Sequence, residues 1–281
     1  MSSKGLLIAV LAFVLGVGTT FPGSTAVAQT APVSPEELQG ILQKLQALYA
    51  PVAQKAGGEF QIQILWDRPS AGASANRDIA NKYVIGVDGG MLVYKRLTSE
   101  NLRMTLCHEA GHLFGGIPLR PAPAEWEGPL DESGKSLLSA EGQSDYYATS
   151  VCFRHLTAGQ NHREFLKGRL LPRKLVQDCD AVWGVRSEGS FQCQRTALAG
   201  LDFLNFVMEF PISLSEQDDS VADKTLDAEY PSRQCRLDTL VAGALCKVQA
   251  PLDFIRKDRS AEGCAAGRGS RPACWHRNHA L

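Results

Sequence analysis

The sequence predicts an α+β fold: a small β-sheet, two helices that share one site, and a helical C-terminal half stapled by cysteines. Three observations predict it. Short apolar stretches of β character, alternating over residues 60–66, precede a helical run carrying His108-Glu109-Ala110-Gly111-His112. A second helical run, residues 136–156, carries Glu141 and Asp145 four apart on one face. Eight cysteines, an even number, run from Cys107 to Cys274 and read as a disulfide framework. A net charge of −1 and a 44% hydrophobic composition give no polyelectrolyte character and point away from nucleic acid as a partner.

The chain opens on a targeting pattern. Lys4 supplies a positive start, residues 5–18 are apolar, and Ala26-Val27-Ala28 is a small-x-small cleavage site. Residues 1–28 are therefore expected to be a signal peptide, with export to a periplasmic or extracellular compartment. No cysteine near the cleavage site suggests a lipid anchor, and no later apolar run reaches the ~18 residues of a membrane span. Residues 29–281 are expected to form one domain: an N-terminal helix over 31–56, a core over 60–156 and a cysteine-rich helical region over 157–281.

Ser34-Pro35-Glu36-Glu37 is a helix start, and Leu38, Ile41, Leu42, Leu45, Leu48, Tyr49 and Val52 recur at helical spacing. Residues 68–76 read as a small-residue loop. Residues 82–87 and 91–94 read as β segments around the turn signal Asp88-Gly89-Gly90. A strand just before the next helix is expected either to be an ordinary sheet strand or to offer an edge to an extended peptide. Thr98 or Ser99 caps that helix, and Gly115-Gly116 followed by Pro118 ends it. His108 and His112 then lie one turn apart on one face. Both imidazoles can reach a single Zn²⁺ at about 2.0–2.1 Å, with Glu109 beside the ion to take a proton from its water.

A catalytic zinc site needs a third protein ligand and one open position. A third histidine six residues beyond His112 is excluded, because Pro118 stands there. A carboxylate from the following helix remains. Glu141 fits as the ligand with Asp145 accepting a bond from a ligand imidazole; the exchanged roles are the alternative. Residues 119–134 form a loop in which Trp126 lines or covers the cleft. Residues 159–173 are basic and polar, and residues 191–210 are helical. The acidic run from Asp218 to Glu229 lacks calcium-loop spacing. His155, His162, His276 and His279 are expected at the surface. Short loops favour Cys179–Cys193, Cys235–Cys246 and Cys264–Cys274, leaving Cys107 for Cys152.

With these pieces assembled, the chain resembles a gluzincin metallopeptidase and is most similar to the CAAX-prenyl-protease and HtpX-like family, as a soluble exported member. Three segments carry the resemblance: residues 81–97 with their central Gly-Gly, His108-Glu109-Ala110-Gly111-His112 with Glu141 and Asp145, and Tyr230-Pro231 to Arg236. It implies a zincin-like domain with His108, His112 and Glu141 on one Zn²⁺, Glu109 as general base and acid, and Asp145 supporting the ligands. The substrate implied is a protein or peptide. The family has His where this chain has Tyr230, so the oxyanion is assigned to the Tyr230 hydroxyl or the Arg236 guanidinium. Two other readings stand beside an endopeptidase: an envelope chaperone or assembly factor that keeps the zinc, and a metal-free disulfide-rich binding protein.

Overall fold

A computed structural model of the chain describes residues 33–207, 212–247, 252, 264 and 266–277. The expected signal peptide and His279 lie outside the described residues. The architecture is α+β, with small sheets, several helices and four disulfides.

Helix α1 (Pro35–Lys55) starts as its sequence dictates: Ser34 Oγ accepts from the Glu37 backbone N–H at 3.1 Å, with Pro35 in the first turn. Its buried stripe is Ile41, Leu45, Tyr49 and Ala53, a strict four-residue repeat. Strands β1 (Glu59–Leu65), β2 (Ala73–Arg77) and β3 (Lys82–Asp88) form one sheet in the order β1-β3-β2. β3 pairs parallel with β1 and antiparallel with β2. Tyr49 of α1 and Tyr83 of β3 both stack on Phe114, centroids 4.7 and 5.1 Å away, which seats the next helix on the sheet.

Two expectations about this region are corrected. The predicted loop over 68–76 contains the edge strand β2, whose small residues carry no apolar alternation and take strand form through pairing with β3. Residues 91–94 are not a strand: Asp88-Gly89-Gly90 opens the short helix α2 (Gly89–Leu92). Its glycines answer to packing, since a Cβ on Gly90 would lie 1.9 Å from the Pro69 carbonyl oxygen.

Helix α3 (Ser99–Phe114) begins at a reciprocal cap. The Asn101 N–H donates to Thr98 Oγ1, and the Thr98 N–H donates to Asn101 Oδ1 at 2.8 Å. Every residue from Glu100 to Phe114 is buried. Its polar face is matched internally: Glu100 accepts from Arg103 at 2.6 Å and from Arg195 at 2.8 and 2.9 Å.

The predicted helix over 136–156 is shorter and broken. Its first residues form β5 (Lys135–Ser139), antiparallel to β4 (Leu119–Pro121). α4 (Glu141–Tyr147) begins only after Ala140, then gives way to a π-helical turn, Ala148–Cys152, and α5 (Phe153–Leu156). α4 crosses α3 at Gly111, where a Cβ would lie 2.6 Å from the Ser144 carbonyl oxygen and 2.7 Å from its Cα. Gly111→Ala should therefore push α4 off α3. We expect a loss of about 1–3 kcal/mol in urea unfolding.

After the short α6 (His162–Phe165), the chain runs through α7 (Arg173–Trp183), α8 (Glu188–Val207) and α9 (Arg233–Leu245). Cys107–Cys152 ties α3 to the π-helical turn and Cys179–Cys193 ties α7 to α8, as expected. The other two bridges are Cys235–Cys274 and Cys246–Cys264, which replaces the expected pairing. The reason is helical: Cys235 lies in the first turn of α9 and Cys246 caps its end, about 16 Å apart at 1.5 Å per residue, too far for one bridge. His162 is buried, its Nδ1 accepting from Arg195, contrary to the surface expectation. Among the described residues, no helix is long and apolar enough to cross a membrane.

Candidate metal centre

The site is assembled by α3, the end of β5 and the start of α4. His108 and His112 stand one turn apart with ring centroids 4.8 Å apart. His112 Nδ1 lies 2.8 Å from the Ser139 carbonyl oxygen, which can only accept, so the proton sits on Nδ1 and the Nε2 lone pair is free. His108 Nδ1 lies 2.8 Å from Asp145 Oδ1, giving the same tautomer. Both Nε2 atoms then face Glu141: His108 Nε2 is 3.3 Å from Oε2 and His112 Nε2 is 3.5 Å from Oε1.

Two imidazoles and a carboxylate converging in a buried site could share a cation. His108, His112 and Glu141 are all under 10% exposed, and Glu141 Oε2 has no hydrogen-bond partner among the described residues. One ligand atom from each lies within 4.8 Å of the others. A small tetrahedral cation with bonds of roughly 2.05 Å has ligand–ligand edges of roughly 3.4 Å, and the two His–Glu141 approaches are of that size. The donor set fits a metal ion, and this group could hold one.

The supporting charges are ordered. Asp145 is fully buried and accepts from Arg236 Nε at 2.7 Å and Nη2 at 2.9 Å. Burial would raise Asp145, but Arg236 and His108 outweigh it and hold it below the usual carboxylate range. Burial likewise opposes the charged form of His108, and the Asp145 and Glu141 carboxylates overcome it, raising the metal-free imidazole. His112 moves the other way, to about 4, through burial and the neighbouring His108. Glu141, at the first position of α4, is lowered despite burial by both histidines and Arg236.

Glu109 is buried in the same cavity as the ligands and bonds to none of them. Burial, with Glu141 adding to it and His108 opposing it, pushes its pKa up to about 7. Tyr230 has an exposed ring, and its hydroxyl lies near enough to Glu141 to feel that charge. Burial of that hydroxyl and the Glu141 charge push it up to about 12, so it remains a donor at neutral pH. Arg236 also lines the cavity, though Nε and Nη2 are committed to Asp145, and its guanidinium carbon stands 5.6 Å from the Tyr230 ring centre.

All seven predicted site residues thus meet in one place. Three neighbours were not foreseen. The Ser139 carbonyl orients His112 from a segment read as helix. Arg120 of β4 lies close enough to lower both Glu109 and His112. Phe203 of α8 packs 5.4 Å from the His108 ring, and only the helical reading of residues 191–210 hinted at it. The expected edge for an extended peptide also moves: β3 is central and paired on both sides, whereas β1 and β2 are edge strands, and Ala73 at the start of β2 lines the cavity. Trp126 does not line it; it donates from Nε1 to the Pro129 carbonyl and packs on the core. A larger open groove of about 1030 Å³ beside Arg154, His162 and Glu188 contains none of these ligands.

No protein-family model, no curated protein and no solved structure matches this chain.

Proposed function

We propose that the chain is an exported zinc-dependent endopeptidase with a zincin-like core, related to the gluzincins and to the CAAX-prenyl-protease and HtpX-like group. One observation carries this reading: two imidazole Nε2 atoms converging on one buried carboxylate, with a second carboxylate, Glu109, in the cavity beside them. The four disulfides support export into an oxidising compartment.

His108, His112 and Glu141 would hold the ion. Zinc bound there would supply Lewis acidity to a water and to a carbonyl. Glu109, poised near neutrality, takes the proton from the attacking water and returns it to the departing amine. The Tyr230 hydroxyl donates to the developing oxyanion from the cavity rim. Arg236 acts through Asp145, which fixes the His108 tautomer and ring direction.

The test is zinc stoichiometry together with casein and peptide cleavage by the purified protein. We expect one zinc per chain, activity lost to a chelator and restored by zinc, and zinc lost in Glu141→Ala. Cleavage that survives complete removal of metal would refute the reading. One bound zinc with no cleavage of any peptide would instead favour the chaperone or assembly-factor alternative.

A further inference from the structure

Helix α4 is gripped on two sides. Ser144 meets α3 at Gly111. Gly142 points about 200° round the helix from Ser144 and shares its face with Tyr146. Against that face lies the stretch 269–275, from the far end of the chain. Trp275 is fully buried, with its indole pressed on Gly142: a Cβ there would lie 2.4 Å from Cδ2 of the ring. Tyr146 Oη donates to the Gly269 carbonyl at 2.7 Å. Between them Arg271 Nε donates to Gln143 Oε1 at 2.8 Å, and Gln143 Nε2 donates at 2.6 Å to the carbonyl of Gly115, the C-cap of α3. The stretch is itself fastened. The Ala273 and Trp275 carbonyls accept from the Ala222 and Leu226 N–H groups at 2.9 and 2.8 Å, and Cys274 is bridged to Cys235 of α9. Cys235 adjoins Arg236, the residue that holds Asp145.

We infer that residues 269–275 are a positioning strap for the metal centre, in which Trp275 sets where the Glu141 carboxylate stands and the Cys235–Cys274 bridge fastens the strap. The inference rests on the metal-ligand reading above. Glu141 is the first residue of α4, and no side chain caps that helix end. Its first turn is therefore held from outside, by the indole plane seated on Gly142. Glycine admits the ring against the backbone, and a side chain smaller than the ring would leave a void into which the turn can shift. Such a shift moves the carboxylate relative to two imidazoles carried by another helix. Contacts that orient ligands in this way govern metal affinity by about 10- to 100-fold.

The metals themselves are the probes. Chelator competition reads zinc affinity, and the visible absorption of the cobalt-loaded full chain reads the ligand geometry, each in samples shown to be folded by circular dichroism. Trp275→Ala should lower zinc affinity about 10- to 100-fold and change the cobalt spectrum. Trp275→Phe, which returns a flat ring to Gly142, should recover most of the affinity. Replacing Cys235 and Cys274 together by alanine should act in the same direction as Trp275→Ala. The bridge between Cys179 and Cys193 is the control, since Cys193 lies ten residues, about 15 Å, up α8 from Phe203. Replacing that pair by alanine should lower the thermal midpoint and leave zinc affinity and the cobalt spectrum unchanged. Unchanged affinity and spectrum in folded Trp275→Ala would overturn the strap and leave the metal centre standing. Equal losses of affinity in the two double-cysteine variants would do the same, and they decide the matter if Trp275→Ala does not fold. A wild-type chain that binds neither metal overturns both readings.

Discussion

Glu109→Gln is expected to lower peptide hydrolysis by about 10²- to 10⁴-fold while leaving one zinc bound per chain. The substitution keeps shape and removes only the basic oxygen. Glu109 is the one buried carboxylate of the cavity that the proposed ligand set leaves free, and its raised pKa puts it where a base works at neutral pH. The neutral amide also removes a carboxylate whose ionisation burial disfavours. A group whose folded pKa lies above its unfolded one loses stability as pH rises through that value, so the metal-free variant should melt no lower than wild type at pH 8. Turnover of a fluorogenic peptide, zinc content and thermal midpoint together read the result. Undiminished turnover with zinc in place would remove Glu109 from the mechanism.

The second large effect is on stability. Arg236→Met strips Asp145 of both guanidinium bonds and leaves a fully buried carboxylate with only His108 beside it. Breaking such a pair from one side costs about 3–5 kcal/mol, a large part of the 5–15 kcal/mol typical of a folded domain. Asp145 is held below its ordinary range, so this stabilisation is present at neutral pH and is lost as pH falls below about 4. Zinc affinity should drop by about 10- to 100-fold as His108 loses its orientation. Urea unfolding of Arg236→Met against the double variant Arg236→Met/Asp145→Leu separates the causes. If the isolated charge is at fault, the double variant recovers much of the loss; a single-variant loss below about 1 kcal/mol would show that the pair has no such weight.

Much of this site can be read in the linear chain because its information is local. Two histidines four apart meet on any helix, and the Thr98–Asn101 cap and the Gly115–Pro118 stop delimit that helix within a few residues. Glu141 and Asp145 follow at one-turn spacing, so one helix carries the candidate ligand and the carboxylate beside His108 Nδ1. The stripe of α1 is equally local. Where long-range pairing decides conformation, local pattern misleads. Residues 73–77 have little strand character of their own and become β2 only against β3, and residues 135–139 pass for helix until β4 pairs with them. Likewise, the closeness of Cys235 and Cys246 in sequence suggested a bridge that the length of α9 forbids.

What the sequence determined by itself is the kit of the site: the residue types, their helical spacing and the cap that holds the helix in phase. These depend on contacts within one or two turns. Only the tertiary structure decided where the proton sits on His112, through a carbonyl 27 residues away, how tightly α4 may approach α3 at Gly111, and which aromatic wall faces the ligands from α8. Those contacts join segments far apart in the chain, and their geometry is set by packing that no local periodicity encodes.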